Sequence, residues 1–321
     1  MNKNAVAAEQ KIAVVVLGGN AIIRRGQEGN IQQQFANTRK AMEGVLELVR
    51  LNYHVVITHG NGPQVGNLFL MVESTRDFIP ELPLGVCVAD TQSQIGYMIQ
   101  QSLKNHLSLA GHDRQVVTVI TQVLVDRRDP YLDTPKKPIG PFFSEQKAQE
   151  IEEVYHWKVV GDSQRGYRIV VPSPEPIGIV EISVLRTLIH TNAIVVAAGG
   201  GGIPVIEDPD GAYHGVDAVV EKDLTAGLLA RELKADLLLF LTGVDRVAMN
   251  FNTPEEETFD QLRIVEALTC LQQGQFPHST MGPKIRAAID FLKATEGDVL
   301  ITSVNKMIEA LHGTNGTKIV R

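Results

Sequence analysis

Three lysines stand where a positive charge could meet a transferring anion. Lys137 lies in the turn-rich stretch Lys136-Lys137-Pro138-Ile139-Gly140-Pro141, Lys222 in Glu221-Lys222-Asp223-Leu224, and Lys284 directly after Met281-Gly282-Pro283. The last two open helical patterns, where a lysine adds a point charge to N–H groups already aimed outward and so favours an anionic ligand. Asp223 reads either as a first-turn acid or as a carboxylate that orients lysines over a phosphate. Most lysines merely solvate a surface, so the reading needs a second feature.

That feature is glycine. Ala193 to Ala198 is an apolar run ending in Gly199-Gly200-Gly201-Gly202, Ile12 to Leu17 runs into Gly18-Gly19-Asn20, and Val55 to Thr58 into His59-Gly60-Asn61-Gly62-Pro63. A β-branched run ending in glycine is the pattern of a buried parallel strand whose carboxyl end turns sharply. Without a Cβ, backbone N–H groups can approach an anion closely. Three such ends on one sheet make one anion cradle, which points to phosphate chemistry. A turn needs one or two glycines, and a run of four implies a close approach. On this reading valine at Gly201 would block phosphate entry and spare the fold.

The familiar phosphate motifs are absent. There is no GxxxxGK[ST], no GxGxxG after a strand, and no HRDLxxxN or DFG, which excludes the P-loop, dinucleotide-binding and protein-kinase classes. A formal charge of −7 over 321 residues, with no Lys/Arg stripe, argues against a general nucleic-acid binder. Cys87 and Cys270 are far apart and form no CxxC, and the histidines form no HExxH, so neither a disulfide framework nor a zinc site is expected. The run after Lys11 is too short for a signal peptide and nothing approaches membrane-spanning length, so a cytoplasmic protein without a membrane partner is expected.

Positioning these residues calls for alternating strands and helices. Beyond a loose extension at 1–10, strand 12–17, helix 32–51, strand 54–58, helices from about 64 and over 91–109, and strand 116–125 follow in order. This order specifies a mostly parallel sheet covered by helices, a three-layer α/β/α sandwich. The rhythm breaks over 126–177, which holds seven of the fifteen prolines and a hairpin near 157–171. Prolines at that density cannot occupy central strands, so the stretch reads as a small protruding subdomain, either a lid or an arm for dimer contacts. Regular order resumes with helix 179–191 and the strand before the four glycines. Helix 222–234, strand 236–241, helices 260–272 and 283–295, strand 298–302 and a strand near 317–320 follow, giving lobes of 11–206 and 207–321.

Read in order, the motifs resemble the carbamate kinases over nearly the whole chain from Lys11. They are Val16-Leu-Gly-Gly-Asn-Ala21 with Arg25-Gly26, His59-Gly-Asn-Gly-Pro-Gln-Val-Gly-Asn67, Thr91-Gln92, Thr121-Gln-Val123, Lys137-Pro-Ile-Gly-Pro141, Val170-Val-Pro-Ser-Pro174, Gly199 to Pro204, Lys222-Asp223, Leu241-Thr-Gly-Val-Asp245 and Met281 with Pro283-Lys284. Three departures stand out. Gly161-Asp-Ser-Gln-Arg-Gly-Tyr-Arg168 differs from the usual Glu-Asp-Ala-Gly-Arg-Gly-Trp-Arg, Gly282 replaces a frequent leucine, and Glu175 stands where a basic residue is common.

The resemblance implies the amino-acid-kinase fold, with an eight-stranded sheet, two lobes and a homodimer. It implies the reversible reaction of ATP and carbamate to ADP and carbamoyl phosphate, used in reverse to make ATP in nitrogen catabolism such as that of arginine. Gly18, Gly19, Asn20, Gly60, Asn61 and Gly62, with Gly200 and Gly201 of the glycine run, would surround carbamate and the moving phosphoryl group. Lys137, Lys222 and Lys284 would neutralise charge, with Asp223 placing lysines. Thr242, Gly243, Val244, Asp245, Val247, Met281 and Pro283 would border the nucleotide, and Mg2+ would be held mainly by nucleotide phosphates. Two alternatives stay open: another acyl-phosphate-forming kinase of this fold, or a silent ligand sensor that kept the pocket.

Overall fold

The computed structural model describes residues 10–24, 26–162, 166–277 and 279–321. Arg25, Ser163, Gln164 and Arg165, and almost all of the expected 1–10 extension, lie outside the described residues.

Ile12–Leu17 shows how the sequence builds the centre. Val14 and Val16 join one apolar cluster while Ala13, Val15 and Leu17 join another, because successive side chains leave a strand on opposite faces. Both faces are therefore covered, as a parallel sheet requires. The eight-stranded sheet runs in the order Gln261–Arg263, Thr317–Val320, Asp298–Ser303, Leu237–Thr242, Ile12–Leu17, His54–His59, Ile194–Val196, Val116–Thr118. Every neighbouring pair is parallel except Asp298–Ser303 with Thr317–Val320. Helices Ile31–Arg50 and Leu84–Leu109 cover the Val15 face, and Ile182–His190, Lys222–Glu232 and Met281–Ala294 cover the Val14 face. This is the expected three-layer sandwich.

One expected strand divides. Residues 116–125 form Val116–Thr118 in the large sheet and Gln122–Val125 in a separate four-stranded sheet with Pro176–Ile179, Ile203–Glu207 and Tyr213–Gly215. The division falls at Thr121. Val119 N still donates to Val196 O of the large sheet at 2.9 Å, while Thr121 O accepts from Ile203 N of the second sheet at 2.9 Å. The buried Gln92 amide brackets the crossing by accepting from Thr121 N at 2.9 Å and donating to Thr121 O at 3.1 Å. The helix expected over 91–109 begins earlier, at Leu84, where Pro83 supplies an extended N-cap.

Within 126–177 the hairpin Val159–Asp162/Gly166–Val171 is joined by an unexpected third strand, Lys137–Phe143. Pro138 and Pro141 are tolerated there because it lies at the edge of its three-stranded sheet. A third apolar cluster ties this sheet to the body: Ile139, Ile169 and Val171 pack with Val65, Phe69 and Val88. Gly66 of helix Gly62–Thr75 meets the backbone of Gly140 with no space for a Cβ on Gly66. Among the described residues no helix is long and apolar enough to cross a membrane.

Candidate active site

The large sheet ends its parallel strands on one side, where ligands of open α/β sheets bind. The turns found there touch one another. A Cβ on Gly60 would lie 3.0 Å from Lys222 Cδ and 3.7 Å from Gly19 N, so the Lys222 stem and the first glycine turn close over the second. Gly200 abuts the Asn61 amide and Gly199 the His59 ring, joining the second and third turns. Gly201 faces Val220 O and Lys222 N, which joins the third turn to the lysine helix. Gly18 N donates to Leu241 O at 2.8 Å and Asn20 abuts Gly243, tying the first turn to the strand Leu237–Thr242 and the turn after it. Gly19 and Gly62 face open space.

Gly201 corrects an expectation. Its φ is +97°, a conformation L side chains rarely adopt, and a Cβ there would strike the Val220 carbonyl. Glycine is required by the chain's own packing, so valine at 201 would strain the loop as well as crowd a ligand.

The three lysines meet at two carboxylates. Asp223, 1% exposed, accepts on one oxygen, Oδ2, from Lys222 Nζ at 3.0 Å and Lys284 Nζ at 2.9 Å. Lys284 also donates to Thr280 O at 3.0 Å. Lys137, on the edge strand of the three-stranded sheet, is bonded to Glu221, which also lies 3.7 Å from Lys222 Nζ. Burial lowers the Lys222 pKa, but Asp223 and Glu221 outweigh that and leave it raised. Lys284 is lowered, because burial prevails over the attraction of Asp223 and is reinforced by Lys222. Burial would raise Glu221, yet Lys137 and Lys222 hold it down at about 2. His59, fully enclosed, is lowered to about 4 by burial against a weaker opposing hydrogen bond to Gly60, so it is neutral near pH 7.

The remaining expected residues divide. Thr242 ends its strand opposite Ser303, Asp245 lies within the electrostatic reach of Lys306, and Met281 opens the helix in which Pro283 and Lys284 are buried. Val247 is different: it is wholly buried and its N–H is taken by Thr317 Oγ1 at 2.9 Å, so its side chain belongs to the core. Glu221 was not singled out in the sequence. Its only sign there is its place in the triplet Glu-Lys-Asp, where charges alternate at a helix start.

Buried lysines, a carboxylate that binds two of them and glycine turns around open space form an arrangement for stabilising a phosphoryl group rather than for moving protons. Residues 11–303 match the Amino acid kinase family, and the chain belongs to that family. Within it, the chain is 43% identical to the carbamate kinase of Pyrococcus horikoshii over 308 residues, covering 95% of this chain and 98% of the other. Carbamate kinase from Giardia lamblia bound to AMP-PNP superimposes with a TM-score of 0.88 at 39% identity, covering 97% of this chain and 98% of that one. The same Giardia enzyme bound to citric acid gives 0.92 at 38% identity, with the same coverage.

Proposed function

We propose that this chain transfers a phosphoryl group reversibly between ATP and carbamate, forming ADP and carbamoyl phosphate. The observation that carries the reading is the joining of Lys137, Lys222 and Lys284 through Glu221 and Asp223, beside turns that leave Gly19 and Gly62 facing open space. In the ATP-forming direction the bond between phosphorus and the carbamate oxygen breaks as one forms to a β-phosphate oxygen of ADP. Carbamate leaves already ionised, so no general base is needed, and Asp223 and His59 do not offer one: the first is occupied by two ammonium groups, the second is buried and neutral.

Catalysis on this reading is alignment and charge stabilisation. Gly18, Gly19, Asn20, Gly60, Asn61, Gly62, Gly200 and Gly201 supply the cradle, and Lys222 and Lys284 supply fixed positive charge. Lys137 reaches in from the three-stranded sheet. Thr242, Gly243, Val244, Asp245, Met281 and Pro283 border the nucleotide.

Magnesium is part of the proposal. No group of three or more His, Cys, Asp or Glu side chains among the described residues could hold an ion alone. Asp223 Oδ1 is buried without a hydrogen-bond partner, so the site has one spare carboxylate oxygen rather than a metal cage. That fits an ion held mainly by phosphates and water, with Asp223 nearby, supplying charge neutralisation when bound. A homodimer in the cytoplasm completes the reading, in keeping with two buried free cysteines.

The test is ATP formation from ADP and carbamoyl phosphate, with a panel of amino-acid acyl phosphates as competitors. Lys222→Ala is expected to lower kcat at least about a hundredfold, the scale of removing one preorganised donor. Near-normal turnover in that variant would remove Lys222 from the chemistry.

A further inference from the structure

The lysine from the three-stranded sheet has a partner that the proposed chemistry does not use. Lys137 and Glu221 side chains are only 16% and 20% exposed and are bonded to each other. Glu221 belongs to the body of the protein: it caps the helix Lys222–Glu232 and immediately precedes Lys222. The bond therefore spans two parts of the fold that also meet in the third apolar cluster, at the Gly66–Gly140 contact and where Val219 N donates to Pro172 O at 3.0 Å.

We propose that Glu221 is a positioning residue, the docking carboxylate that seats Lys137 at the phosphoryl site and sets how the three-stranded sheet closes on the body. Three ammonium groups gathered beside Asp223 alone would repel one another, and the second carboxylate lets Lys137 stand beside Lys222 before any phosphate arrives. Glu221 also touches Lys222 Nζ at 3.7 Å, so one side chain relates a lysine of the sheet to a lysine of the body. Lys222 and Lys284 share one oxygen of Asp223, so Glu221 is the carboxylate that holds Lys137 in the cluster. The inference rests on the proposed phosphoryl transfer for its kinetic consequence but not for the tether itself.

The experiment is a double-mutant cycle on full-length protein, read with carbamoyl phosphate and ADP. Glu221→Gln is expected to lower kcat at least about tenfold, short of the loss from removing a donor outright, with KM for ADP unchanged. In a Lys137→Ala background the same substitution should cost no more than about twofold, since the pair acts as a unit. Equal losses in both backgrounds would make Glu221 a mere helix cap, and an unchanged kcat would do the same; either overturns the proposal. A second readout needs no turnover. Acetylation of intact protein by an N-hydroxysuccinimide ester, followed at Lys137 by peptide mass spectrometry, should accelerate at least about fivefold in Glu221→Gln, with Lys147 as an unchanged reference. An unaltered Lys137 rate would overturn the tether. Absence of turnover in the unsubstituted protein would instead sink the kinase reading, leaving the labelling to decide on Glu221.

Discussion

Asp223→Asn removes one charge and preserves shape, which makes it the sharpest test of the lysine cluster. Lys222 and Lys284 bind the same carboxylate oxygen at 3.0 and 2.9 Å, so their ammonium groups are no more than about 6 Å apart. At an effective dielectric of about 20, two like charges at that distance repel by about 3 kcal/mol, while each gains about 5 kcal/mol from a carboxylate at about 3 Å. Asp223 therefore turns a repulsive pair into an attractive triad. With asparagine the sign reverses, and the group least able to stay charged is Lys284, already lowered by burial and by Lys222. It must be protonated to hold phosphate, so as pH rises the variant loses activity at a lower pH than the parent does. The assay is kcat for ATP formation from pH 6 to 9. We expect a loss of about a hundredfold to a thousandfold near pH 8, the range for a missing electrostatic donor, with partial recovery toward pH 6. Near-parental kcat, or a loss with no pH dependence, would refute the argument that Asp223 acts by keeping two lysines charged.

Gly66→Ala would push the backbone of Gly140 away and carry Lys137 with it. Thermal and urea unfolding should show at least about 2 kcal/mol of destabilisation, and kcat should fall with ADP affinity intact. Gly201→Val should cost at least about 2 kcal/mol in urea unfolding as well as activity, because positive φ and the Val220 carbonyl both oppose it. His59 binds its proton at about 4 in the native protein against about 6.5 when unfolded, so the unfolded state takes up the proton first and stability falls as pH drops between those values. His59→Gln should thus lose about 2 kcal/mol less than the parent between pH 7 and pH 5 in urea titrations. Parallel pH dependences would show that the ring is not buried neutral.

The fold was legible where one physical rule acts alone. Ile12–Leu17 and His54–His59 announce themselves because two-sided burial demands continuous apolar runs, and the turns after them because glycine has few substitutes at close approach. Residues 116–125 misled because the chain passes from one sheet to another there, Val119 N bonding Val196 and Thr121 O bonding Ile203, partners more than 70 positions away that no local pattern encodes. The strand Lys137–Phe143 was hidden by Pro138 and Pro141, which argue against a strand until its edge position is known. In the site, Lys222, Lys284 and Asp223 could be named from helix-start chemistry and Lys137 from its turn-rich surroundings, whereas Glu221 could not, since its partner Lys137 is 84 residues distant. Val247 shows the converse: it lies two residues past the recognisable motif Leu241–Asp245, yet its side chain joins the core and its N–H is taken by Thr317.

How the lysine separation is kept fixed follows from the helices that carry it. Lys222 begins one helix and Lys284 is in the first turn of another, so both charges sit at positive dipole ends that would repel each other if free. The two helices are pressed together at Gly227, where a Cβ would lie 3.0 Å from Ala287 Cβ and 3.2 Å from its carbonyl oxygen. Small residues at that crossing allow the backbones to approach, and Leu229, Ile285 and Ala288 share the apolar cluster around it. Burial of those side chains works against the dipolar repulsion, and Asp223 offsets what remains at the ammonium groups themselves. The energy that positions the two charges is therefore drawn from packing away from the phosphate, so little reorganisation is left for the moment of transfer.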